Sequence, residues 1–351
     1  MNQLRHNVIR AGLEALYFSG AHRLLQPLFA GVGTIFMLHH VRPPRGDAFQ
    51  PNRHLEITPD FLRATLRHVR ARGIDIVDLD EMHRRLRERD FRRRFACFTF
   101  DDGYRDNRDF ALPVMREFAA PFTVYVTSDF ACGNGRLWWV ALERLIARAE
   151  RIETTIGGEV VRLDCQDAAA KSIAFATLHD LLRAVPGPEI THLLAELCRR
   201  HGVDDGVIAR ELCLSWQELQ NFAADPLVTI GAHTLTHCNL ATCTPETARH
   251  EMAASRGAIE AKLNKPAAHL AYPYGDKDAA TAREFALARK LGFKTAVTTR
   301  PGMLFTESAN HLTALPRLSL NGNYQSTRLL PVLTSGAATA VWNGFRRVDA
   351  A

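Results

Sequence analysis

Short apolar runs recur along the chain at 34–38 (TIFML), 74–77, 95–100 (FACFTF), 122–126 (FTVYV), 227–230, 269–272, 294–297 and 317–320. Several are apolar at both odd and even positions, as in strands covered on both faces. Between them the period changes to that of a helix. Over 59–72, Phe61, Leu62, Leu66 and Val69 share one side, and 110–118, 245–263 and 281–291 read alike. Gly73 and Gly292 stand where two of these helices should stop. Strands alternating with helices predict a parallel sheet, most simply a β/α barrel.

The rhythm fails over about 129–226. That interval predicts a mainly helical insertion, with helices at 140–149, 168–185 and 189–200 and a small hairpin over 154–163 around Gly157-Gly158. At the start, Leu4, Val8, Leu13, Leu16, Leu24, Leu25 and Leu28 fall at roughly helical spacing among basic residues. Two readings stay open for 1–31: a helix packed on the fold, or a basic amphipathic helix lying on a membrane surface. Residues 32–351 then form the barrel with its insertion, and one more amphipathic stretch follows 325.

With 351 residues, 46% hydrophobic and 23% charged, the composition is globular and excludes disorder and coiled coil. The balance of 44 basic against 38 acidic residues is too diffuse to predict nucleic-acid binding. The only dense charge run, Arg84, Arg85, Arg87, Arg89, Arg92, Arg93 and Arg94, reads as a solvated face, with capture of an anion as the alternative. Seven scattered cysteines without a C-x-x-C pair predict free thiols in a reducing compartment. No apolar run spans a membrane, and charges interrupt any signal-peptide core. The expectation is therefore a cytoplasmic protein, either free or peripheral to the inner face of a membrane.

Four strand ends carry chemistry, where a β/α barrel places its functional groups. The run at 98–104 ends in Asp101 and Asp102 followed by Gly103. Two neighbouring carboxylates repel, so burying both calls for a cation. After 227–230 come His233 and His237, spaced as on one face of a helical turn. Two imidazoles and a carboxylate make a three-ligand divalent-metal site with a position open for water. Tyr272-Pro-Tyr-Gly275 predicts a rigid turn that can hold a backbone N–H toward an oxyanion. His39 and His40 end the first strand, and a histidine there can protonate a leaving amine. Trp138 and Trp139 are candidates for stacking on a sugar at the rim, or for core packing of the insertion.

Thr99-Phe-Asp-Asp-Gly103, His233-Thr-Leu-Thr-His237 and Tyr272-Pro-Tyr-Gly275 resemble, in order and placement, the first three motifs of the polysaccharide deacetylases, the NodB-homology carbohydrate esterases. The resemblance implies a deformed (β/α)7 barrel and metal-dependent hydrolysis of acetyl groups on sugars. It assigns Asp101 as general base, Asp102, His233 and His237 as ligands of a divalent ion, zinc first, and the Tyr274 N–H as oxyanion donor. The implied substrate is an N-acetylated sugar, oligosaccharide, polysaccharide or lipid-linked glycan. Alternatives are hydrolysis of another non-peptide C–N bond, or an inactive carbohydrate-binding protein. Two departures stand out. Ala271 occupies the place where many members have an arginine that orients the base, and Arg317 is the candidate substitute. A C-terminal Leu-x-His is missing, so Phe36-Met-Leu-His39 makes His39 the expected acid, with His40 as its rival.

Overall fold

A computed structural model describes residues 3–183 and 187–347. Seven parallel strands close into a ring: β1 (Gly33–Leu38), β2 (Phe95–Phe100), β3 (Phe122–Val126), β4 (Val228–Ala232), β5 (His269–Ala271), β6 (Thr295–Pro301) and β7 (Leu315–Ser319). Each pairs with its neighbour in sequence, and β1 closes the ring by pairing with both β2 and β7. This is the expected deformed (β/α)7 barrel. The deformation shows where β4 and β5 share the single register pair Leu270↔Ala232, and in a register shift between Val297 and Pro301 on β6.

The apolar run at 74–77 is not a ring strand. Asp75–Ile76 pairs with Phe95 and Ala96 at the start of β2, and β3 takes the same edge further along, from Phe98 to Phe100. The edge is shared, so the short strand splints the ring from outside. Asp78 then ends it, its side chain accepting from Glu81 N as the N-cap of the helix Leu79–Glu88.

Alternation along the strands divides the core. Ile35, Cys97, Tyr125, Ala271, Val297 and Leu315 belong to one buried cluster, which fills the ring. Phe36, Phe98, Val124, Leu270 and Leu318 belong to another, which includes Leu62 and Leu66 of the helix Pro59–Ala71 and Met252 and Ile259 of the helix Pro245–Leu263. Thr58 and Thr244 cap these two helices, and Pro stands at the first helical position of each.

Between β3 and β4 lie the helices Trp138–Arg148, Ala168–Arg183 and Gly187–Arg200 and the antiparallel hairpin Arg151–Ile156/Glu159–Asp164. Val185, the expected end of one helix, lies outside the described residues. Leu142, Leu145, Leu178, Leu182, Leu194 and Leu197 give this segment its own buried cluster, which reaches the barrel at Tyr104, Trp138 and Trp139.

The chain begins with α1 (Gln3–Phe18) and α2 (Ala21–Phe29). Leu13 of α1 packs on Leu329 and Val332, so part of this segment belongs to the folded core. Among the described residues no helix is long and apolar enough to cross a membrane. The arginine run is mostly paired. Arg84 contacts Glu81, Glu88 and Asp90, Arg85 contacts Glu81 and Asp75, and Arg94 donates to the carbonyls of Ala30 and Thr334.

Candidate active site

The alternation that puts Cys97 and Thr99 inside the ring carries on to Asp101 at its C-terminal mouth. On β7 the same alternation follows Leu315 with Arg317, which is fully buried. The two side chains meet in a two-point pair: Arg317 Nη1 donates to Asp101 Oδ1 and Nη2 to Oδ2, both at 2.7 Å. Arg317 Nε donates to Thr298 O at 2.8 Å and Nη1 also to Thr99 Oγ1 at 3.2 Å, which fixes the guanidinium plane. Burial pushes the Asp101 carboxyl up, but the Arg317 charge and hydrogen bonds outweigh it and hold the group below its usual range. Ala271 lies in the ring interior and offers only its carbonyl, 2.8 Å from His233 Nδ1.

One residue on, the backbone turns sharply. Asp102 and Gly103 have φ of 71° and 67°, in the left-handed region. Adjacent carboxylates thereby serve different partners. Asp102 Oδ1 lies 3.5 Å from His233 Nε2 and 3.3 Å from His237 Nε2. The ligand atoms of these three residues all fall within 4.8 Å of one another. Asp102 Oδ1 is buried and has no hydrogen-bond partner, a costly state for a carboxylate oxygen without a cation. The three residues fit a divalent ion. The bond to Ala271 O orients the His233 ring with Nε2 toward Asp102. The His237 ring is held by packing instead, with Trp139, Tyr274 and Phe130 centroids at 4.9, 5.2 and 5.7 Å.

The helical turn expected for 233–237 is not there. Thr234 and His237 have φ of 62° and 63°, and the segment is an irregular loop. Its shape comes from Glu251, a buried acid on the helix Pro245–Leu263. That carboxylate accepts from Leu235 N at 3.0 Å and from Thr236 N and Oγ1 at 2.9 Å. Thr234 Oγ1 accepts from His237 N at 3.0 Å, and Thr127 Oγ1 donates to His233 O at 2.9 Å. The sequence reading missed Glu251. Its signal was an acid inside the otherwise uncharged stripe Ala248, Glu251, Met252, Ser255 and Ile259. Glu251→Gln is expected to weaken cation affinity roughly 10–100-fold, as loss of a supporting contact typically does. Competition against a chelator reads this directly, and unchanged affinity would show that the loop holds its shape without the charge.

His39 and His40 face opposite ways, as successive strand residues do. His39 Nε2 lies 3.9 Å from Asp101 Oδ2, with the side chain 18% exposed at the opening. Burial lowers the His39 pKa against the pull of Asp101 and Asp102. His40 Nδ1 instead lies 2.6 Å from Asp106 Oδ2, and its ring stacks on Tyr104 at 3.6 Å.

Tyr274 completes the mouth. With φ of 61° at Tyr274 and 58° at Gly275, the turn after Pro273 reverses tightly, and Thr299 Oγ1 donates to Tyr274 O at 2.5 Å. A Cβ on Gly275 would lie 2.7 Å from Thr299 N, so the turn requires glycine. The Tyr274 phenol accepts from Trp138 Nε1 at 2.9 Å, and burial pushes its pKa up to about 12. Trp139 Nε1 donates to Tyr104 OH at 3.2 Å. Both tryptophans are buried, so they wall the site and are not a free rim platform. Asp102, Thr234, His237 and Tyr274 account for four of the eight non-glycine residues with positive φ among those described. Such strain gathers where a fold over-determines a functional geometry.

The family model described as polysaccharide deacetylase matches residues 168–296, a span that holds His233, His237 and the Tyr272–Gly275 turn. Over that span the chain is similar to the polysaccharide deacetylase family. The fold agrees. The Streptococcus pyogenes deacetylase PplD, solved with acetate, is 17% identical with a TM-score of 0.56, over 83% of this chain and 92% of that one. IcaB from Ammonifex degensii is 15% identical with a TM-score of 0.52, over 86% and 97%. BC0361, a polysaccharide deacetylase from Bacillus cereus, is 17% identical with a TM-score of 0.50, over 82% and 65%. At these identities the likeness is one of fold. No curated protein sequence matches the chain. Relative to the deacetylase motifs, Arg317 stands against Asp101 from the last strand, where Ala271 leaves the third motif without its arginine.

Proposed function

We propose that this chain is a metal-dependent deacetylase that hydrolyses N-acetyl groups on a sugar, within an oligosaccharide, a polysaccharide or a lipid-linked glycan. The observation that carries the reading is the unpartnered, buried Asp102 Oδ1 converging with two imidazoles beside the Asp101–Arg317 pair. Asp102, His233 and His237 would hold a divalent ion, and two imidazoles with one carboxylate suit zinc. Such an ion, when bound, acidifies water and polarises the acetyl carbonyl.

The remaining steps belong to side chains and backbone. Arg317 keeps Asp101 ionised, so Asp101 takes the proton of the attacking water as the new C–O bond forms. The Tyr274 N–H is the backbone donor toward the developing oxyanion. His39, at the opening and beside Asp101, relays the proton that Asp101 took from water to the sugar amine, which departs as the C–N bond breaks. Acetate and the free amine are the products.

Acetate release from N-acetylglucosamine oligomers tests this assignment. His39→Ala is expected to lower kcat on the amide by about two to four decades, the usual span for a general acid, while sparing an activated aryl acetate whose leaving group needs no proton. His40→Ala should act mainly on the melting temperature, because it breaks a partly buried pair with Asp106. A panel that yields no acetate with the metal-loaded enzyme would overturn the N-acetyl assignment. Equal, mild effects of the two variants would place the proton donor elsewhere.

A further inference from the structure

We propose that the two ends of the chain together form a docking face for an anionic phospholipid surface. Of eleven large apolar side chains exposed among the described residues, seven belong to the terminal segments: Val8, Phe18, Leu24, Leu28, Val341, Trp342 and Phe345. Monomeric proteins seldom gather so many in one region without a partner.

These segments adjoin. The last helix, Ala337–Trp342, packs against α2. The Phe345 ring lies 5.7 Å from Phe29 at the end of α2. Leu24 and Leu28 stand one turn apart on α2, and Leu24 is 80% exposed although His22 on the opposite side is buried. Leu13 and Ile9 of α1 face the core at Leu329 and Val332, so α1 is anchored by its inner side and its outer side is left to solvent.

Charge selects the occupant. Residues 6–31 contain Arg10 and Arg23 against the single acid Glu14, and 326–347 contain Arg328, Arg346 and Arg347 with no acid. Arg10, Arg23, Arg346 and Arg347 are exposed. Arg328 lies near Glu14 and over the Phe18 ring, so even the one acid is offset. Apolar side chains fringed by arginine suit the boundary between acyl chains and anionic headgroups. A protein partner of ordinary mixed charge would leave these arginines without complements. The sequence offers only the N-terminal half of this face, as one of two readings of residues 1–31. The C-terminal half becomes visible when ring closure brings residues 337–345 onto α2.

Co-sedimentation of the full chain with phosphatidylglycerol-containing vesicles, against pure phosphatidylcholine, tests the face. Binding is expected only with the anionic lipid and should weaken with added salt. The paired changes Leu24→Glu/Leu28→Glu and Trp342→Glu/Phe345→Glu should each lower it by about tenfold or more, and Arg23→Glu/Arg346→Glu should abolish the anionic preference. All these positions are exposed, and unchanged acetate release from a soluble substrate reports an intact fold. Failure to bind phosphatidylglycerol vesicles would overturn the proposal. So would native binding by the Trp342/Phe345 variant, since a face built by α1 and α2 alone predicts that result. A dimer in solution that the same variants dissociate would assign the face to a second copy of this chain instead.

Discussion

Replacing Asp102, His233 or His237 by alanine is expected to remove the bound cation and acetate release together, with kcat/KM down by about three decades or more. The expectation rests on count and burial. Three ligands leave no redundancy, and Asp102 Oδ1 has no other partner to hold it in place. The variants should differ in stability. Without a cation, Asp102 lies beside His233 and His237, and burial of the carboxyl is outweighed by both imidazoles, which hold its pKa well below the ordinary value. Asp102→Ala removes that buried charge, whereas each histidine variant leaves the carboxylate with fewer partners. His233→Ala also frees the Ala271 carbonyl inside the barrel. Elemental analysis after dialysis, run beside acetate release, decides the matter. A double histidine variant that keeps stoichiometric metal would refute the ligand set.

The second large effect concerns the pair behind the ligands. Asp101→Asn should retain the cation while kcat falls by about two to four decades, because an amide cannot take the proton of water. Arg317→Met is the sharper probe. It leaves Asp101 buried without its guanidinium, and breaking a buried pair from one side costs about 3–5 kcal/mol. It also reverses the pKa shift. In the native fold the Asp101 pKa is depressed, so its contribution to stability is present above the unfolded value and is lost as pH falls through the folded one. With the arginine gone only burial acts, the pKa rises, and the acid limb of kcat/KM should move to higher pH. An Arg317→Met enzyme with a native pH profile would mean that Arg317 is structural only.

The barrel strands could be read from the sequence because both their faces are covered, which makes them continuous apolar runs bounded by polar loops. The same rule overcounted at 74–77, since a two-residue splint on one edge of β2 has the composition of a ring strand. The candidate ligands Asp102, His233 and His237 were legible because each lies within a few residues of a strand end. How they meet was not. His233 and His237 at a spacing of four suggested a helical turn, yet a loop wrapped around Glu251 brings their Nε2 atoms together. Glu251 stands on the following helix, and its one local signal, an acid inside an otherwise uncharged stripe, does not report which loop it holds. Asp106, which turns His40 away from the mouth, was missed for the same reason. Arg317 could be proposed from sequence as a replacement for the absent arginine, but its two-point contact with Asp101 depends on β7 lying beside β1, which no short-range pattern reports.

That closure has a consequence for the order in which the enzyme is made. β1 emerges first and β7 last, yet they pair directly at Phe36↔Leu318 and Met37↔Ser319. A nascent chain that has completed β6 still has open edges on β1 and β6, the kind of surface that invites pairing with other chains. It already contains every metal-site residue, but Asp101 lacks its guanidinium. Synthesis would therefore deliver the proposed cation site early, and the residue that keeps the proposed base ionised almost at the end. On the proposed assignment, a truncated product would bind metal before it could turn over, and the final segment that supplies Arg317 also seals the edge against aggregation.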